Sequence, residues 1–296
     1  MPATQMNRRV TFRNILFATD FSSAANSAMP HAASLARSSG SKLFSIHVKE
    51  PINYAVPPEM WAGAQRACEI QLQQLRDTMN HDFPDLKPEV LEGDGGVWAA
   101  LASAVEKYKI DLIVVGTRGR TGIGKAFLGS QAEEILRCAP CPVLTVGPQA
   151  LFDEENRGKL ASVLCATNFG PASLAAANIA VSLAEENQCR LTLLHVIENR
   201  SANELSNTEE FGESRERHLR ELVPEDAKVW CAPHFRVEKG VPADKILEVA
   251  HGINASLIVL GVHRAEGVPG AATHFPIATV HHIVAHAACP VLTIRG

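Results

Sequence analysis

The stretch from Asp111 to Gly147 reads DLIVVGTRGRTGIGKAFLGSQAEEILRCAPCPVLTVG, and the rest of the chain is arranged around it. Its first part, residues 112–115, is a continuous apolar run with the length and β-branched content of a strand buried on both faces of a parallel sheet,. Apolar residues recur with helical spacing from Gln131 to Arg137, and a second apolar run covers residues 142–146,. The stretch therefore predicts a strand, a glycine-rich loop, a short helix and another strand.

The loop between that strand and that helix combines glycines with positive charge. Its glycines permit sharp turns and a close approach of backbone N–H groups to an anion. They are Gly116, Gly119, Gly122 and Gly124, and the cations beside them are Arg118, Arg120 and Lys125. The loop closes on Gly129-Ser130, where the free amides of a helix N-terminus begin,. This combination predicts a phosphate site that needs no catalytic side chain.

Two other interpretations of the loop stay open at this point. Ser130 and Glu133 fit the S-x-x-E capping box, in which Ser130 is only the N-cap of the helix,. Residues 119–125 fit the G-x-x-x-x-G-K pattern of a P-loop, but Ala126 stands where a P-loop has the hydroxyl that binds Mg²⁺,. Because no single helix follows directly, the sequence disfavours a P-loop.

The composition indicates a globular protein and excludes several classes of function. The formal net charge is −4 and no dense Lys/Arg cluster occurs, which argues against binding of nucleic acid through a basic surface,. No run of about eighteen apolar residues exists and residues 1–9 are polar, so we expect no membrane span, no signal peptide and a cytoplasmic location,. Seven scattered cysteines suit buried, reduced thiols,.

The order of segments occurs twice along the chain. Ser162-Val-Leu-Cys-Ala-Thr-Asn168-Phe matches Asn14-Ile-Leu-Phe-Ala-Thr-Asp20-Phe, and a Cys-Pro-Val-Leu-Thr segment ends both halves. A period this long indicates a duplicated domain. We predict domains in residues 1–150 and 158–296, joined by the charged and polar linker 153–159. Strands alternate with helices in each half, which predicts two doubly wound α/β domains with a ligand outside the carboxyl ends of the strands.

The glycines of the first half belong to a longer pattern. Gly116-x-x-Gly119 is followed after nine residues by Gly129-Ser130, and then by a short helix and Ala139-Pro-Cys-Pro-Val-Leu. This pattern closely resembles the nucleotide-binding signature of the universal stress protein family, in its ATP-binding branch. Residues 14–23 resemble the family's first strand, which ends in its Asp, and residues 43–48 resemble its second strand.

The resemblance implies a fold, a ligand and a set of contacts. The fold is two tandem Rossmann-like domains of the adenine nucleotide alpha hydrolase type, each with a five-stranded parallel sheet flanked by helices. The ligand is ATP, with or without Mg²⁺. Asp20 would contact the ribose or adenine, and Thr19 and Val48 would offer backbone groups to the base. The phosphates would be cradled by Gly116, Arg118, Gly119, Gly129, Ser130, Gln131 and Ala132. Asp20 has a competing interpretation as the N-cap of the first helix.

The family also joins two domains through their last strands. The resemblance therefore implies that residues 142–146 and 290–294 pair within this chain as an internal pseudo-dimer. Physical reasoning agrees, because an unpaired apolar edge strand is prone to aggregation. Fold kinship further suggests a homodimer of tandem chains, and the protein partner stays unidentified.

The second half departs from the pattern where it would bind phosphate. It carries Arg264, Ile277-Ala278 and Asn168 in place of Gly119, Gly129-Ser130 and Asp20, while Gly261 matches Gly116. Bulky side chains block a close approach of the backbone to phosphate, so we predict that this half does not bind nucleotide in the family manner. Thr273 or Thr279 could substitute in part.

The predicted site lacks the groups that phosphoryl transfer requires. Catalysis needs metal ligands and a residue that orients the nucleophile, yet the loop contains no paired carboxylates. Glu133 and Glu134 follow the phosphate end of the helix, where they could equally serve the helix dipole. We therefore predict ATP binding with slow hydrolysis or none, in a regulatory protein rather than an enzyme.

Two alternatives belong to other classes of function. His281, His282, His286 and Cys289 have helical spacing that could hold a transition metal, with His274 as a further ligand,. The simpler interpretation is that histidines are favoured at a helix C-terminus by its dipole. The other alternative is a protein-interaction scaffold that works without nucleotide, or one whose exposed surface is set by ATP occupancy.

Overall fold

Ten strands form one continuous sheet in the computed structural model, which describes residues 12–49, 58–117, 128–198, 208–227, 231–262 and 277–295. The first half alternates strands and helices. Its elements are β1 Asn14–Ala18, α1 Ser23–Ser39, β2 Lys42–Lys49, α2 Pro58–Asp82, β3 Glu89–Asp94, α3 Val97–Tyr108, β4 Leu112–Gly116, α4 Ser130–Cys138 and β5 Val143–Val146.

The second half has the same succession of elements. They are β6 Ser162–Ala166, α5 Pro171–Asn187, β7 Arg190–Ile197, α6 Thr208–Glu221, β8 Pro233–Lys239, α7 Pro242–Gly252, β9 Leu257–Val262, α8 Ile277–His286 and β10 Val291–Arg295. None of the helices in the described ranges is long and apolar enough to cross a bilayer.

The strand order is β3-β2-β1-β4-β5-β10-β9-β6-β7-β8. Within each half all neighbouring strands are parallel, and the chain reverses its direction of progress across the sheet after the first three strands. This is the doubly wound arrangement. It confirms the predicted fold class, with two tandem Rossmann-like units of five parallel strands each.

The two halves are joined by the antiparallel pair β5–β10. Leu292 lies opposite Leu144, and both side chains are buried. Thr293 lies opposite Val143 and its hydroxyl donates to the Val143 carbonyl at 3.2 Å. The predicted pairing of the last strands within one chain is therefore confirmed.

Helices cover both faces of the sheet. On one face α1, α2, α5 and α6 share a single apolar cluster that runs through both halves, and fully buried alanines such as Ala28, Ala32 and Ala36 let α1 approach the strands closely. On the other face α3 and α4 form one cluster and α7 and α8 form another. Leu128 packs against both clusters and connects them beside the junction.

Replacing Leu292 by Ala is expected to lower the free energy of unfolding by about 2–5 kcal/mol, because truncation leaves a cavity in the packed junction. The matched control is Leu151→Ala, since the Leu151 side chain is 83% exposed and surface truncations usually change stability by less than about 0.5 kcal/mol. Urea denaturation of both variants beside the wild type measures the difference. Equal losses in the two variants would contradict the packing described for the junction.

Candidate functional site

A cavity of about 150 Å³ lies between the carboxyl ends of β1, β2 and β4 and the first turns of α3 and α4. It is located where the strand order reverses between β1 and β4, the position at which doubly wound sheets bind ligands,. Eight of the ten predicted site residues line it, namely Thr19, Asp20, Val48, Gly116, Gly129, Ser130, Gln131 and Ala132. The other two, Arg118 and Gly119, lie outside the described residues.

The N-terminus of α4 forms one wall of this cavity. The helix begins at Ser130 and its N-cap is Gly129, which contributes no side-chain hydrogen bond. The alternative interpretation of Ser130 as the N-cap in a capping box is therefore wrong, because Ser130 lies one position inside the helix. The first amides of a helix have no intrahelical partner. Because glycine has no side chain, position 129 contributes no cap that would cover the amides of the cavity-lining first turn.

The start of α4 is fixed to the end of β4. The Gly129 N–H donates to the Thr117 carbonyl at 2.7 Å, so the two ends of the glycine-rich loop meet. The Thr117 N–H in turn donates to the Val146 carbonyl of β5 at 3.1 Å. Two backbone hydrogen bonds thus help to hold the amide end of the helix against the carboxyl edge of the sheet.

Gly116 has a packing role that the sequence did not indicate. A Cβ at this position would lie 2.5 Å from the Ala24 carbonyl oxygen and 2.9 Å from the Ala25 nitrogen. The absence of a side chain therefore lets α1 begin directly against the end of β4. Gly261 has the same relation to Ala172 and Ser173 at the start of α5, so this requirement exists in both halves. The predicted contact between Gly116 and phosphate stays a prediction.

Asp20 is oriented by the turn that leads into α1. Its Oδ1 accepts a hydrogen bond from the Ser22 N–H at 3.0 Å. Ser22 is the N-cap of α1, and its hydroxyl accepts from the Ala25 N–H at 3.2 Å. The alternative interpretation of Asp20 as the N-cap is therefore wrong. The carboxylate is instead held at the wall of the cavity.

Phe21 and His47, which the sequence did not single out, shape the end of β1 together with Thr19. The Thr19 N–H donates to the Ile46 carbonyl at 2.9 Å, and His47 Nδ1 lies 2.9 Å from the Thr19 carbonyl oxygen. Phe21 has a left-handed backbone with φ of 61°, donates its N–H to the Thr19 hydroxyl at 3.0 Å and stacks on His47 at 4.3 Å between ring centroids. Because its N–H is already used, Thr19 has only a carbonyl lone pair left for the predicted contact with the base.

The second half repeats this arrangement. Thr167 donates to the Leu194 carbonyl, His195 Nδ1 lies 2.8 Å from the Thr167 carbonyl oxygen, and Phe169 has φ of 65° with its ring 4.7 Å from that of His195. The signal in the sequence was a Thr-Asp/Asn-Phe triplet followed in both halves by a histidine at the same distance. Its presence in both halves indicates a structural role.

The second half differs at its helix N-terminus, as predicted from the sequence. α8 begins at Ile277, the position of Gly129, and Thr279 lies in its first turn. Arg264 and Thr273 lie outside the described residues.

In the described part of the chain, the histidine cluster does not form the alternative metal site. His282 and His286 stack at 4.4 Å between ring centroids, and His286 Nδ1 lies 2.8 Å from the His282 carbonyl oxygen. Burial raises the pKa of the Cys289 thiol to about 12, which disfavours the thiolate that binds metals,. Among the residues with described positions, no three His, Cys, Asp or Glu side chains lie close enough to hold a metal ion. His274 is not among them.

A larger cleft of about 860 Å³ lies between the halves, bordered by α1, the linker and the C-terminal ends of α7 and α8. Its charged lining is mixed, with Lys159 and Arg190 opposed by Asp153 and Glu248. None of the eight predicted nucleotide-site residues with described positions lines it, whereas His286 and Cys289 of the histidine cluster do. The smaller cavity, with its uncapped helix and its strand ends, is therefore the candidate functional site.

Two tandem units of five parallel strands, each covered by helices on both faces, define a Rossmann-like α/β protein with a cleft at the strand-order reversal,. The chain belongs to the universal stress protein family, whose family model matches residues 11–147 and 160–295. Both the family and the tandem form predicted from the sequence are confirmed.

Relatives occur as single and as tandem proteins. A universal stress protein of Thermus aquaticus is 34% identical over 136 residues, which is 46% of this chain and 98% of that protein. One of Mycolicibacterium smegmatis is 26% identical over 309 residues and covers 98% of this chain and 99% of its own. The crystal structure of a universal stress protein from Archaeoglobus fulgidus superposes with a TM-score of 0.73 at 19% identity, covering 95% of this chain and 98% of that one. At this level of identity, the superposition shows that the two proteins share a fold.

Gly116→Ala is expected to destabilise the protein by about 1–3 kcal/mol, since the new methyl group would press on the backbone of α1. Gly63→Ala is the control, because a Cβ there meets nothing within 4 Å and alanine is favoured over glycine inside an exposed helix by roughly 0.5–1 kcal/mol. Thermal unfolding of both variants should show shifts of opposite sign. A neutral or stabilising Gly116→Ala would contradict the close approach of α1 to β4.

Proposed function

We propose that the protein binds ATP in the cavity of its first half. It would act as a regulatory protein that holds the nucleotide and hydrolyses it slowly or not at all. The observation that carries the proposal is the glycine-capped N-terminus of α4, which borders the cavity beside Asp20. Amides with no intrahelical partner and the positive end of the helix dipole favour a phosphate group.

The remaining walls suit the other parts of an adenine nucleotide. Ile46, Val48, Val97 and Leu101 line the cavity with apolar groups that can pack on a base. Asp20 supplies a carboxylate that accepts hydrogen bonds from ribose hydroxyls or from the amino group of adenine,. Asp20 is also the single acidic residue among the described lining residues. The negatively charged phosphates would therefore be repelled by few acidic side chains.

The size of the cavity indicates which part of the ligand it would enclose. Its volume of about 150 Å³ is smaller than the roughly 300–1,000 Å³ of pockets that surround a whole ligand. We infer that the described residues enclose the nucleoside and the first phosphate contacts. The family resemblance assigns the outer phosphates, with any Mg²⁺ they carry, to the glycine-rich loop that includes Arg118 and Gly119.

The same lining favours binding without rapid hydrolysis. Phosphoryl transfer requires metal ligands and a group that orients the attacking water. The lining residues with described positions include one carboxylate, Asp20, and one histidine, His47, whose Nδ1 faces the Thr19 carbonyl. These described residues provide neither a pair of carboxylates to hold a metal ion nor a base placed to orient the attacking water.

The experiment is calorimetric titration of nucleotide-stripped protein with Mg-ATP. We expect one site per chain, and an affinity at least about tenfold lower in Gly129→Ile, Ser130→Ala, because a bulky cap covers the amides of α4 and tenfold corresponds to about 1.4 kcal/mol. Gly129 has φ of −63°, a value open to any residue, so this variant should fold.

The matched control is Ala278→Ser, which alters the corresponding position of the second half and should leave binding unchanged. Absence of ATP binding by the wild type would overturn the proposed function. A stoichiometry of two would contradict the assignment of the site to the first half.

A further inference from the structure

The larger cleft between the two halves has the size of a ligand pocket and an apolar floor. Its volume of about 860 Å³ falls within the roughly 300–1,000 Å³ of cavities that surround a small molecule. Buried leucines of both halves line it, including Leu144, Leu183 and Leu292. Leu151, which is 83% exposed, lines it as well. The lining therefore favours a ligand with an apolar body, because burial of apolar surface is favourable.

The linker between the domains forms one wall of the cleft and is fixed to α1. The Ser34 hydroxyl lies 2.9 Å from the Arg157 carbonyl oxygen and 3.0 Å from the Gly158 carbonyl oxygen, and it donates to this pair. Gly158 has a left-handed backbone with φ of 66°, and a Cβ there would clash with the ring of Phe152. Packing and hydrogen bonds thus give this wall a defined shape.

A histidine of α1 borders the cleft with a nitrogen that the fold leaves unsatisfied. The His31 ring packs edge-on against Phe152 at 5.1 Å between ring centroids. Its Nε2 atom is buried and has no hydrogen-bond partner among the described residues. Burial lowers the pKa of His31 to about 4, so the imidazole is neutral near pH 7 and Nε2 can carry the proton that it donates. Buried nitrogens without a partner are rare in native proteins, and a polar group of a ligand would satisfy this one.

The second half has an apolar residue at the position of His31. α1 and α5 are equivalent with an offset of 148 residues, since they cover Ser23–Ser39 and Pro171–Asn187. Ile179 therefore occupies the equivalent position, where it is buried in the core at 7% exposure. An apolar side chain is enough to pack this helix on the sheet, so packing alone does not explain the imidazole of the first half.

Two cations line the same cleft where the linker ends. Lys159 directly follows Gly158, and the Ala161 carbonyl accepts from the Arg190 N–H at 3.3 Å, which brings the two backbone segments together. Among the described residues, neither the Lys159 nor the Arg190 side chain has an ion pair or a hydrogen bond. Both charges can therefore act on a ligand.

The two acidic residues of the lining are already engaged within the protein. Asp153 accepts from the Asn156 N–H at 3.0 Å and from its side-chain amide at 2.7 Å. Glu248 pairs with Lys245 at 2.7 Å. Because the carboxylates have partners and the two cations do not, the cleft favours a negatively charged ligand.

We propose that this cleft binds an amphipathic carboxylate, an organic acid with an apolar hydrocarbon body. The leucines contact the body, Lys159 and Arg190 attract the carboxylate, and His31 Nε2 donates a hydrogen bond to it. This site is separate from the cavity of the first half, since the two linings share no residue. The inference therefore does not depend on the binding of ATP.

The test is calorimetric titration of the whole chain with octanoate. We expect one octanoate per chain, with a Kd below about 1 mM that rises with salt concentration, because screening weakens the attraction between charges. The neutral 1-octanol lacks the charge and acetate lacks the apolar body. Each should bind at least about tenfold more weakly than octanoate.

Two variants assign the contacts. His31→Ile copies the second half, and we expect its octanoate affinity to fall at least about tenfold, since hydrogen bonds to charged groups are strong. Its melting temperature should equal or exceed that of the wild type, because an unsatisfied buried nitrogen is removed. Arg190→Met should weaken binding by at least about threefold. Its matched control is Lys42→Met, because Lys42 is exposed, begins β2 as Arg190 begins β7, and lies outside the cleft.

Several outcomes would overturn the inference. They are absence of octanoate binding by the wild type, equal binding of 1-octanol, undiminished affinity in His31→Ile, and equal losses in Arg190→Met and Lys42→Met. If His31→Ile fails to fold, the exposed pair of variants still decides the result. The affinity for Mg-ATP should be the same in all of these variants, because they leave the cavity of the first half intact.

Discussion

The structure depends on the antiparallel ladder between β5 and β10. Each half alone would end in an apolar edge strand, and such edges attract other chains. Pairing the two edges within one molecule buries Leu144 against Leu292 and converts two five-stranded sheets into one of ten strands. The apolar cluster on one face then runs through both halves, and Leu128 connects the two clusters on the other face.

Backbone contacts build most of the framework at the strand ends of each half, and in the first half this framework forms the cavity wall. Gly116 allows α1 to begin against β4, the Thr19 hydroxyl receives the N–H of the left-handed Phe21, and the Gly129 N–H closes the loop on Thr117. The second half keeps the first two of these devices in Gly261 and the Thr167–Phe169 turn. The two copies thus share this framework, while residues next to it differ, with Asn168 in place of Asp20 and Ile277 in place of Gly129.

Much of this could be predicted from the sequence. Apolar runs and helical spacing located β4, α4 and β5 to within one residue at each end. The family resemblance grouped eight residues that do line one cavity. The errors concern local hydrogen bonds, because Ser22 and Gly129 took the cap positions that the sequence offered equally to Asp20 and Ser130. The Thr19–His47 contact joins residues 28 positions apart that the fold brings together, and no periodicity reports such a pair.

The direction of the strands has a further consequence. Because β5 and β10 run antiparallel, the carboxyl edges of the two half-sheets point to opposite sides of the molecule. A dimer of identical single domains joined in this way would present the same cleft at both ends, and two bound partners could be bridged into chains. Fusion followed by divergence gives each end its own chemistry. The two ends of the tandem chain therefore differ, with the cavity beside the Gly129-capped helix at one of them.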